Sequence, residues 1–477
     1  MSETFYWHDY ETWGTNPALD RPSQFAGVRT DAELNIIGEP LVQYCRPTPD
    51  YLPNPEACLV TGITPQQALE EGVCEAEFIA RIHAELAQPR TCTVGYNSIR
   101  FDDEVTRYTL YRNFYDPYAR EWQNGNSRWD LIDVMRLCYA LRPDGLNWPM
   151  REDGSPSFRL EELTAANGLS HESAHDALSD VLATIDLAKL LRGAQRKLYD
   201  YALTLRNKRT VAAMLNTQSQ VPVLHVSGRL PALRACSALV MPLAAHPVNK
   251  NSVIVYDLSV DPTPLIELDG AEVARRVFSS AAELGEDTPR IPLKEIHLNR
   301  APIVATAKLV DDAAAQRLAL DMDSCRRHWA MLHRAGGLQE KLMGIYQQRE
   351  FNGSDDPDTQ LYGGFFGDDD RRQMERIRQL GPEELAHEVF QFKDARLPEL
   401  FWRYRARNFP QQLNEAERKR WFAFCKQRLR SPVAPLHGFD TFRRRLQELA
   451  EEPRSDFQQH LLQELYDYAD ALEQEGL

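Results

Sequence analysis

The hydrophobic pattern of the chain, up to about residue 190, changes repeatedly between short apolar runs and helical spacing. The short runs indicate strands at 5–10, 41–45 and 91–96. Apolar residues at helical spacing predict helices around 78–86, over 102–114, and from about 178, where Leu178, Val181, Leu182 and Ile185 share one face. Strands that alternate with helices on this scale predict an α/β domain.

The pattern changes twice further along the chain. Between about 196 and 345, short apolar stretches such as 221–226 and 252–256 are separated by clusters of Pro, Gly and Asn, which predicts a small β-rich domain with helical additions. After the acidic segment 355–358 the pattern is mainly helical. Three structural parts are therefore expected.

Composition narrows the class of protein only a little. The 477 residues are 43% hydrophobic and 26% charged, as in an ordinary globular protein of roughly two to four domains. Because the net charge is −15, any surface for nucleic acid must be a local basic one. The first residues lack a secretory signal, no apolar run could span a bilayer, and no two of the eight cysteines are closely spaced. We therefore expect a cytoplasmic protein with free thiols and no membrane contact.

Two carboxylates lie at the end of the first apolar run. Asp9 and Glu11 are two residues apart, and side chains at that spacing on a strand point to the same face. Adjacent carboxylates repel unless a cation lies between them or one of them takes up a proton. The pair therefore indicates either a metal site or an acidic strand end that faces solvent.

Two later segments place further candidate residues at the beginnings of predicted helices. Asp102 opens the helix that follows the strand at 91–96, a position where an acidic residue is also a common N-cap. His175 precedes Asp180 by five residues at the beginning of the helix from about 178. Spacing alone leaves catalytic, structural and solvent-exposed roles open for these side chains.

Charged segments elsewhere suggest contacts with nucleic acid. Between 107 and 129, arginines alternate with aromatic residues, which suits single-stranded nucleic acid but equally suits a helix with an aromatic core face and a solvated basic face. Residues 403–430 contain nine Lys or Arg, and we interpret them as part of a positive channel, with a solvated helix face as the alternative. The acidic triplet 368–370 is predicted to be a solvated turn.

Together, the three acidic segments resemble the DEDDh (DnaQ-like) exonuclease superfamily. They have its Asp-x-Glu strand, its central Asp and its His-x4-Asp helix, in that order, and the Thr-Gly-Ile-Thr tetrapeptide at 61–64 also recurs there. Within the superfamily, the chain is similar to the bacterial exodeoxyribonuclease I family over essentially its whole length. The segments that carry this likeness are 8–12, 95–107, 113–118, 157–160 and 404–410.

This resemblance implies a fold and an activity. The implied parts are an α/β, RNase H-like exonuclease domain over 1–190, an SH3-like β-barrel domain over 196–349 and an all-helical C-terminal domain over 352–477. The implied activity is processive 3′→5′ degradation of single-stranded DNA to 5′-mononucleotides, in DNA repair, recombination and mismatch excision. An exoribonuclease of the same superfamily and a catalytically silent DNA-binding scaffold are the alternatives.

The resemblance also implies the residues of the site. Asp9, Glu11, Asp102 and Asp180 would hold two Mg²⁺ ions, with Mn²⁺ possible, for two-metal phosphodiester hydrolysis, and His175 would be the general base. Substrate contacts are expected at Glu11, at Arg159 near the scissile phosphate, and at Arg107, Tyr118, Trp122, Arg136, Tyr201 and Lys208. The expected partner, besides single-stranded DNA, is the C-terminal tail of single-stranded DNA-binding protein, with Arg142 as a candidate contact. We expect a monomer.

Overall fold

The computed structural model describes residues 3–171, 176–348, 353–432 and 436–477. The strands within these ranges are β1 (Thr4–Thr12), β2 (Pro22–Thr30), β3 (Leu41–Tyr44), β4 (Thr91–Gly95), β5 (Ser127–Asp130), β6 (Val223–Val226), β7 (Ser237–Ala245), β8 (Ser252–Asp257), β9 (Leu293–His297) and β10 (Ile303–Thr306).

The α-helices within the same ranges are α1 (Pro55–Thr61), α2 (Pro65–Glu71), α3 (Glu75–Leu86), α4 (Asp102–Arg112), α5 (Leu131–Leu141), α6 (Leu160–Ala166), α7 (Ala177–Ala194), α8 (Arg196–Thr204), α9 (Lys208–Met214), α10 (Thr263–Glu267), α11 (Gly270–Phe278), α12 (Ala281–Leu284), α13 (Asp312–Arg317), α14 (Met322–Arg334), α15 (Leu338–Gln347), α16 (Asp368–Gln379), α17 (Pro382–His387), α18 (Arg396–Asn408), α19 (Glu415–Arg430), α20 (Phe439–Ala450) and α21 (Asp456–Gln474).

The predicted elements are present with small changes of boundary. Strands predicted in the first part correspond to β1, β3 and β4, and the helices to α3, α4 and α7. The hydrophobic pattern does not indicate β2, because small and polar residues are buried along almost all of this strand and no alternation of period two results. The chain divides into two compact units, Met1–Asn126 with Glu172–Leu182 and Gly353–Leu477, and Ser127–His171 with Ala183–Asn352.

In the first unit, β1 is an interior strand of the sheet. The strand order is β3-β2-β1-β4, in which β1 is antiparallel to β2 and parallel to β4. The core cluster beside this sheet includes Tyr10, Phe25, Phe78 and Ile82. This packing fixes the face on which the alternate side chains of β1 lie.

The helices at the C-terminal end of the chain share a core with segments from its beginning. Trp13 and Tyr51 belong to the same buried cluster as Trp402, Phe442 and Leu465. The first unit is therefore built from segments more than three hundred residues apart in sequence, since Gln66 also donates a hydrogen bond to the Glu464 carbonyl over a separation of 398 residues.

Three of the nine basic residues in 403–430, Arg403, Arg405 and Arg407, are buried and cannot line a positive channel. Arg407 lies inside the first unit and binds Asp50 at 2.8 Å and Asp358 at 2.6 Å, and its side chain is only 3% exposed. Arg403 also binds Asp358, at 2.9 Å, and Arg405 binds Glu417 at 2.7 Å. These guanidinium groups neutralise acidic side chains in the interior, and a charge count along the sequence could not show those partners.

The acidic triplet 368–370 is not a solvated turn. It forms the first turn of α16, where acidic residues interact favourably with the helix dipole. Asp370 is buried and accepts hydrogen bonds from the backbone amides of Lys393 (2.8 Å) and Asp394 (3.1 Å). Asp370 therefore fastens the loop before α18 to the beginning of α16.

The second unit contains the predicted β-rich region. Its sheet has the order β10-β6-β7-β8-β9 with antiparallel pairing, and an irregularity between Pro242 and Ala244 bends β7. The predicted strands at 221–226 and 252–256 correspond to β6 and β8. In the part of the chain that the structure describes, the cysteines are free, and no helix is long and apolar enough to cross a membrane.

Candidate active site

Strand β1 positions the first two carboxylates of the candidate site. Asp9 and Glu11 pair in register with Ala26 and Gln24 of β2, and the register shifts directly after Glu11. Both carboxylates project to one face because alternate residues of a strand share a face. Glu11 is 8% exposed, so this face is covered and is not a solvated strand end.

The turn after β4 brings Asp102 to the same place. A Cβ atom on Gly95 would lie 2.9 Å from the His8 carbonyl oxygen and 2.6 Å from the Ser98 Cβ, so a residue without a side chain is needed there. Asn97 has a positive φ of 65°, which reverses the chain before α4 begins at Asp102. The backbone amide of Tyr10, between Asp9 and Glu11, donates to Asp102 Oδ1 at 3.1 Å.

Helix α7 contributes the fourth carboxylate. The amide of Ala177, its first residue, donates to Gln24 Oε1 at 3.4 Å, and Gln24 is the residue opposite Glu11 in the sheet. Asp180 follows one turn later. Ligand oxygens of Asp9, Glu11 and Asp180 all lie within 4.8 Å of one another, and this is the acidic group in the described residues that has the spacing of a metal site.

The electrostatics of this cluster favour a bound cation. Burial, followed by the charges of Asp102, Glu11 and Asp180, raises the pKa of Asp9 well above its ordinary value. Burial, followed by Asp180, Asp102 and Asp176, raises the pKa of Glu11 to about 9. The four carboxylates are therefore not all ionised at neutral pH without a cation. Closely spaced carboxylate oxygens are the ligands that hard divalent cations prefer, so the donor set fits such ions.

These raised pKa values predict that the stability of the metal-free protein depends on pH. From pH 7 towards about 9, the native state holds protons that the unfolded chain has already lost, because the pKa of Glu11 is about 9 in the folded protein. Since the native state binds more protons, its stability is expected to fall as pH rises through this window. The melting temperature in EDTA should decrease accordingly, and saturation with Mg²⁺ should release protons and restore it.

A matched pair of variants checks this expectation. Glu11→Gln should flatten the dependence of the melting temperature on pH, because the glutamine cannot be ionised. Glu33→Gln, at an exposed position, should leave it unchanged. An equal slope in the wild type and in Glu11→Gln would mean that Glu11 is ionised throughout.

The structure places the other predicted site residues of the first unit as follows. His175 lies outside the described residues. Arg107 is buried and binds Glu121 at 2.7 Å and Glu104 at 2.8 Å, and its guanidinium lies 5.3 Å from the centre of the Tyr118 ring. Trp122 is 65% exposed, so its ring is available to a ligand.

The remaining predicted site residues belong to the second unit. Arg136 binds Asp133 at 2.6 Å and lies against the Phe158 ring, and the Tyr201 hydroxyl donates to the Val304 carbonyl at 2.6 Å. Arg142, Arg159 and Lys208 are exposed. Arg159 forms a weak ion pair with Glu162 at 3.6 Å, and Lys208 donates to Asn251.

All four arginines between 107 and 129 are interior residues. Arg112 binds Glu75 at 2.5 Å, Arg120 binds Asp103 at 2.6 Å, and the Arg128 guanidinium donates to the Asn299 carbonyl at 2.9 Å. Sequence reasoning also missed Gln24, which orients α7. Gln24 could have been identified as a polar residue at a buried strand position, but only if β2 had first been recognised as a strand.

Comparisons with known proteins agree with this arrangement. The family profile described as Exonuclease matches residues 6–188, and the profiles of the Exonuclease I SH3-like domain and the Exonuclease I C-terminal domain match 206–348 and 355–472. Exodeoxyribonuclease I of Escherichia coli (strain K12) is 49% identical over 428 residues, which cover 90% of each chain. The chain belongs to the exonuclease I family. The exonuclease I family is part of the DnaQ-like superfamily, and its members are hydrolases.

Solved structures of exonuclease I extend the similarity to the whole fold. A zinc-ion-bound form of the E. coli exonuclease I–single-stranded DNA complex has a TM-score of 0.93 and 47% identity, covering 99% of this chain and 100% of that one. A complex of SSB and exonuclease I with the inhibitor CFAM has a TM-score of 0.92 and 45% identity, with the same coverage. The predicted fold class is therefore confirmed: an exonuclease domain of the α/β class, an SH3-like domain and a helical C-terminal domain.

Proposed function

We propose that this chain is a processive 3′→5′ exonuclease that degrades single-stranded DNA to 5′-mononucleotides. The observation that carries the proposal is the convergence of Asp9, Glu11 and Asp180 within 4.8 Å, with Asp102 held beside them by the Tyr10 amide. The substrate class is supported by relatives, which include an E. coli exodeoxyribonuclease and a complex with single-stranded DNA.

In the proposed mechanism, Asp9, Glu11, Asp102 and Asp180 would hold two divalent cations, Mg²⁺ or alternatively Mn²⁺. Bound cations of this kind neutralise the charge that develops on the attacking and leaving oxygens of a phosphodiester. His175 would take a proton from the attacking water at its imidazole nitrogen, a role for which histidine is suited because the ordinary pKa of its side chain is about 6.5. The zinc-ion-bound form of a relative supports a divalent cation as cofactor, and Mg²⁺ is the ion that we propose.

The proposed contacts with DNA combine aromatic and basic side chains, of which Trp122, Arg159 and Lys208 are exposed. Trp122 and Tyr118 would stack on bases, while Arg107, Arg136, Tyr201 and Lys208 would contact the strand. Glu11 and Arg159 would contact the terminal nucleotide, and the 65% exposure of the Arg159 side chain leaves its guanidinium accessible to a phosphate. Base stacking and phosphate pairing of this kind do not depend on sequence, as a degradative enzyme requires.

Further proposals, on partner, domain boundaries, oligomeric state and cellular role, rest mainly on resemblance to the family. Arg142 is exposed and would contact the C-terminal tail of single-stranded DNA-binding protein, supported by a related complex that contains SSB. We also propose domain boundaries near 190–196 and 349–352, a monomeric state, a cytoplasmic location, and roles in DNA repair, recombination and mismatch excision.

Three oligomers of one sequence test the activity. With Mg²⁺, a 5′-labelled DNA strand should be shortened from its 3′ end to short labelled limit products with few intermediates, and EDTA should prevent it. An RNA strand should be cut at least about tenfold more slowly if the pocket excludes a 2′-hydroxyl, and equal rates would favour the exoribonuclease alternative. A duplex DNA is the third substrate and should resist cleavage. Immediate release of the labelled nucleotide would indicate the opposite polarity, and a bound but uncut strand would indicate a scaffold.

A further inference from the structure

The segment 118–122 is attached to helix α4 by its buried charges. Tyr118 and Trp122, the two aromatic residues proposed to stack on bases, flank a short 3-10 helix at Ala119–Glu121. Arg120 and Glu121 lie between them, and both side chains are directed towards α4. The same helix begins with the proposed metal ligand Asp102.

Arg120 forms the first attachment. Its guanidinium donates to Asp103 Oδ1 at 2.6 Å, and the exposed fractions of the two side chains are 0% and 2%. It also donates to Thr93 Oγ1 of β4 at 3.3 Å, and its carbonyl accepts from the Asn126 side chain at 3.2 Å. Arg120 therefore cannot reach a phosphate, yet it holds the residue that directly follows Asp102.

Glu121 forms the second attachment, in which the segment supplies the carboxylate and helix α4 supplies the guanidinium. Its two carboxylate oxygens accept from Arg107 of α4 at 2.7 and 2.9 Å, a bidentate arrangement with fixed geometry. The Arg107 guanidinium in turn lies 5.3 Å from the centre of the Tyr118 ring. Arg107 is five residues after Asp102, which is about 7.5 Å along a helix axis.

We propose that these two ion pairs are a positioning device that fixes the rings of Tyr118 and Trp122 relative to Asp102. The inference rests on the proposed function: the rings hold the strand, and the device sets how far its 3′ end enters the carboxylate cluster. Arg120, Asp103 and Glu121 are positioning residues, since they act through Asp102 and the rings. In the first pair the positive charge is on the segment (Arg120), and in the second pair it is on the helix (Arg107). A shift of the segment would therefore break both pairs.

The physical cost of burial supports a geometric role. Moving a guanidinium and a carboxylate out of water costs free energy, and their attraction repays this cost only when the geometry of the pair is good. Well-packed apolar residues in the same place often stabilise a protein as much as such a pair does. Such a pair is therefore weak evidence for stability alone, whereas its directional hydrogen bonds restrict the segment to one position. A misplacement of about 1 Å can cost on the order of a hundredfold in rate.

The test replaces the first pair by two uncharged amides, Asp103→Asn with Arg120→Gln. We expect kcat on saturating single-stranded DNA with Mg²⁺ to fall by about 10- to 100-fold. The Kd for a labelled oligomer in EDTA should change less than about threefold, because Tyr118, Trp122 and the exposed cations are still present. The slope of log Kd against log salt should be unchanged, whereas loss of one phosphate contact would reduce it by about 0.7.

Controls separate positioning from stability. Arg29→Gln with Glu85→Gln removes an ion pair of 3.0 Å between β2 and α3, and should keep kcat near the wild-type value. A folded double variant with kcat within about threefold of wild type, or with a loss that appears only in Kd, would overturn the proposal. If the double variant does not fold, Arg120→Lys decides by the same measurements, since it keeps the charge but loses the planar fork. A wild-type protein that fails to cut DNA would instead contradict the proposed function.

Discussion

Asp180→Asn is expected to reduce kcat on single-stranded DNA by at least about a thousandfold, equivalent to about 4 kcal/mol of transition-state stabilisation. The change removes one charge from a cluster whose oxygens lie within 4.8 Å, so the cations would be held less well. After burial, Asp180 is the largest contributor to the raised pKa of Glu11, and its neutralisation relieves repulsion. The variant should therefore melt in EDTA at the same temperature as the wild type or higher. Single-turnover cleavage and thermal unfolding measure the two effects.

The matched control is Asp186→Asn on the same helix. Asp186 is 46% exposed and its partner is Lys189 at 3.0 Å, so this variant should keep the wild-type rate. If Asp180→Asn kept a rate within tenfold of the wild type, Asp180 would not be a ligand. If it lost activity together with several degrees of melting temperature, the effect would come from misfolding.

Arg407→Met is expected to destabilise the first unit by about 3–5 kcal/mol, the usual cost of breaking a buried ion pair. The change leaves Asp50, which is 0% exposed, and Asp358 without their closest guanidinium. Burial by itself would raise the pKa of Asp50, but Arg407, Arg21 and Arg428 hold that pKa well below its ordinary value. Urea unfolding followed by tryptophan fluorescence should report the loss, since Trp13, Trp402 and Trp421 lie in the core of this unit.

Lys419→Met is the control for this variant, because Lys419 lies on α19 and pairs with Glu415 at the surface. The two side chains are 77% and 83% exposed, so the pair should contribute less than about 0.5 kcal/mol. Equal unfolding midpoints for Arg407→Met and Lys419→Met would show that the interior charges are compensated in another way.

The sequence allowed the chemistry to be predicted better than the positions of most charges. Asp9 and Glu11 could be placed on one face because the period of a strand is local, and Asp102 because a turn and a helix beginning are local too. Whether Arg107, Arg120 and Arg407 meet solvent, DNA or a carboxylate depends on partners far away in sequence. Arg407 and Asp50 are 357 residues apart, and no periodicity relates them.

The C-terminal helices also show that a sequence pattern does not identify the partners of charged residues. Their helical character follows from spacing, but the charge of the basic stretch within them does not show which residues its side chains contact. Two of its arginines, Arg403 and Arg407, pair with Asp50, Asp356 and Asp358, and only the tertiary structure brings these carboxylates together. A local pattern in the sequence indicates secondary structure. The electrostatic potential of a surface depends instead on which charged side chains are paired in the interior.

The interleaved construction of the first unit has a consequence for synthesis on the ribosome. Asp50 leaves the exit tunnel 357 residues before Arg407, its partner. At about 5–20 residues per second, the interval is roughly 20–70 s. During that time Asp50 has Arg21 beside it but lacks Arg407, its closest counter-ion, so the first unit should reach its final form late in translation. A nuclease built in this way would acquire its activity only after nearly all of its chain has been made.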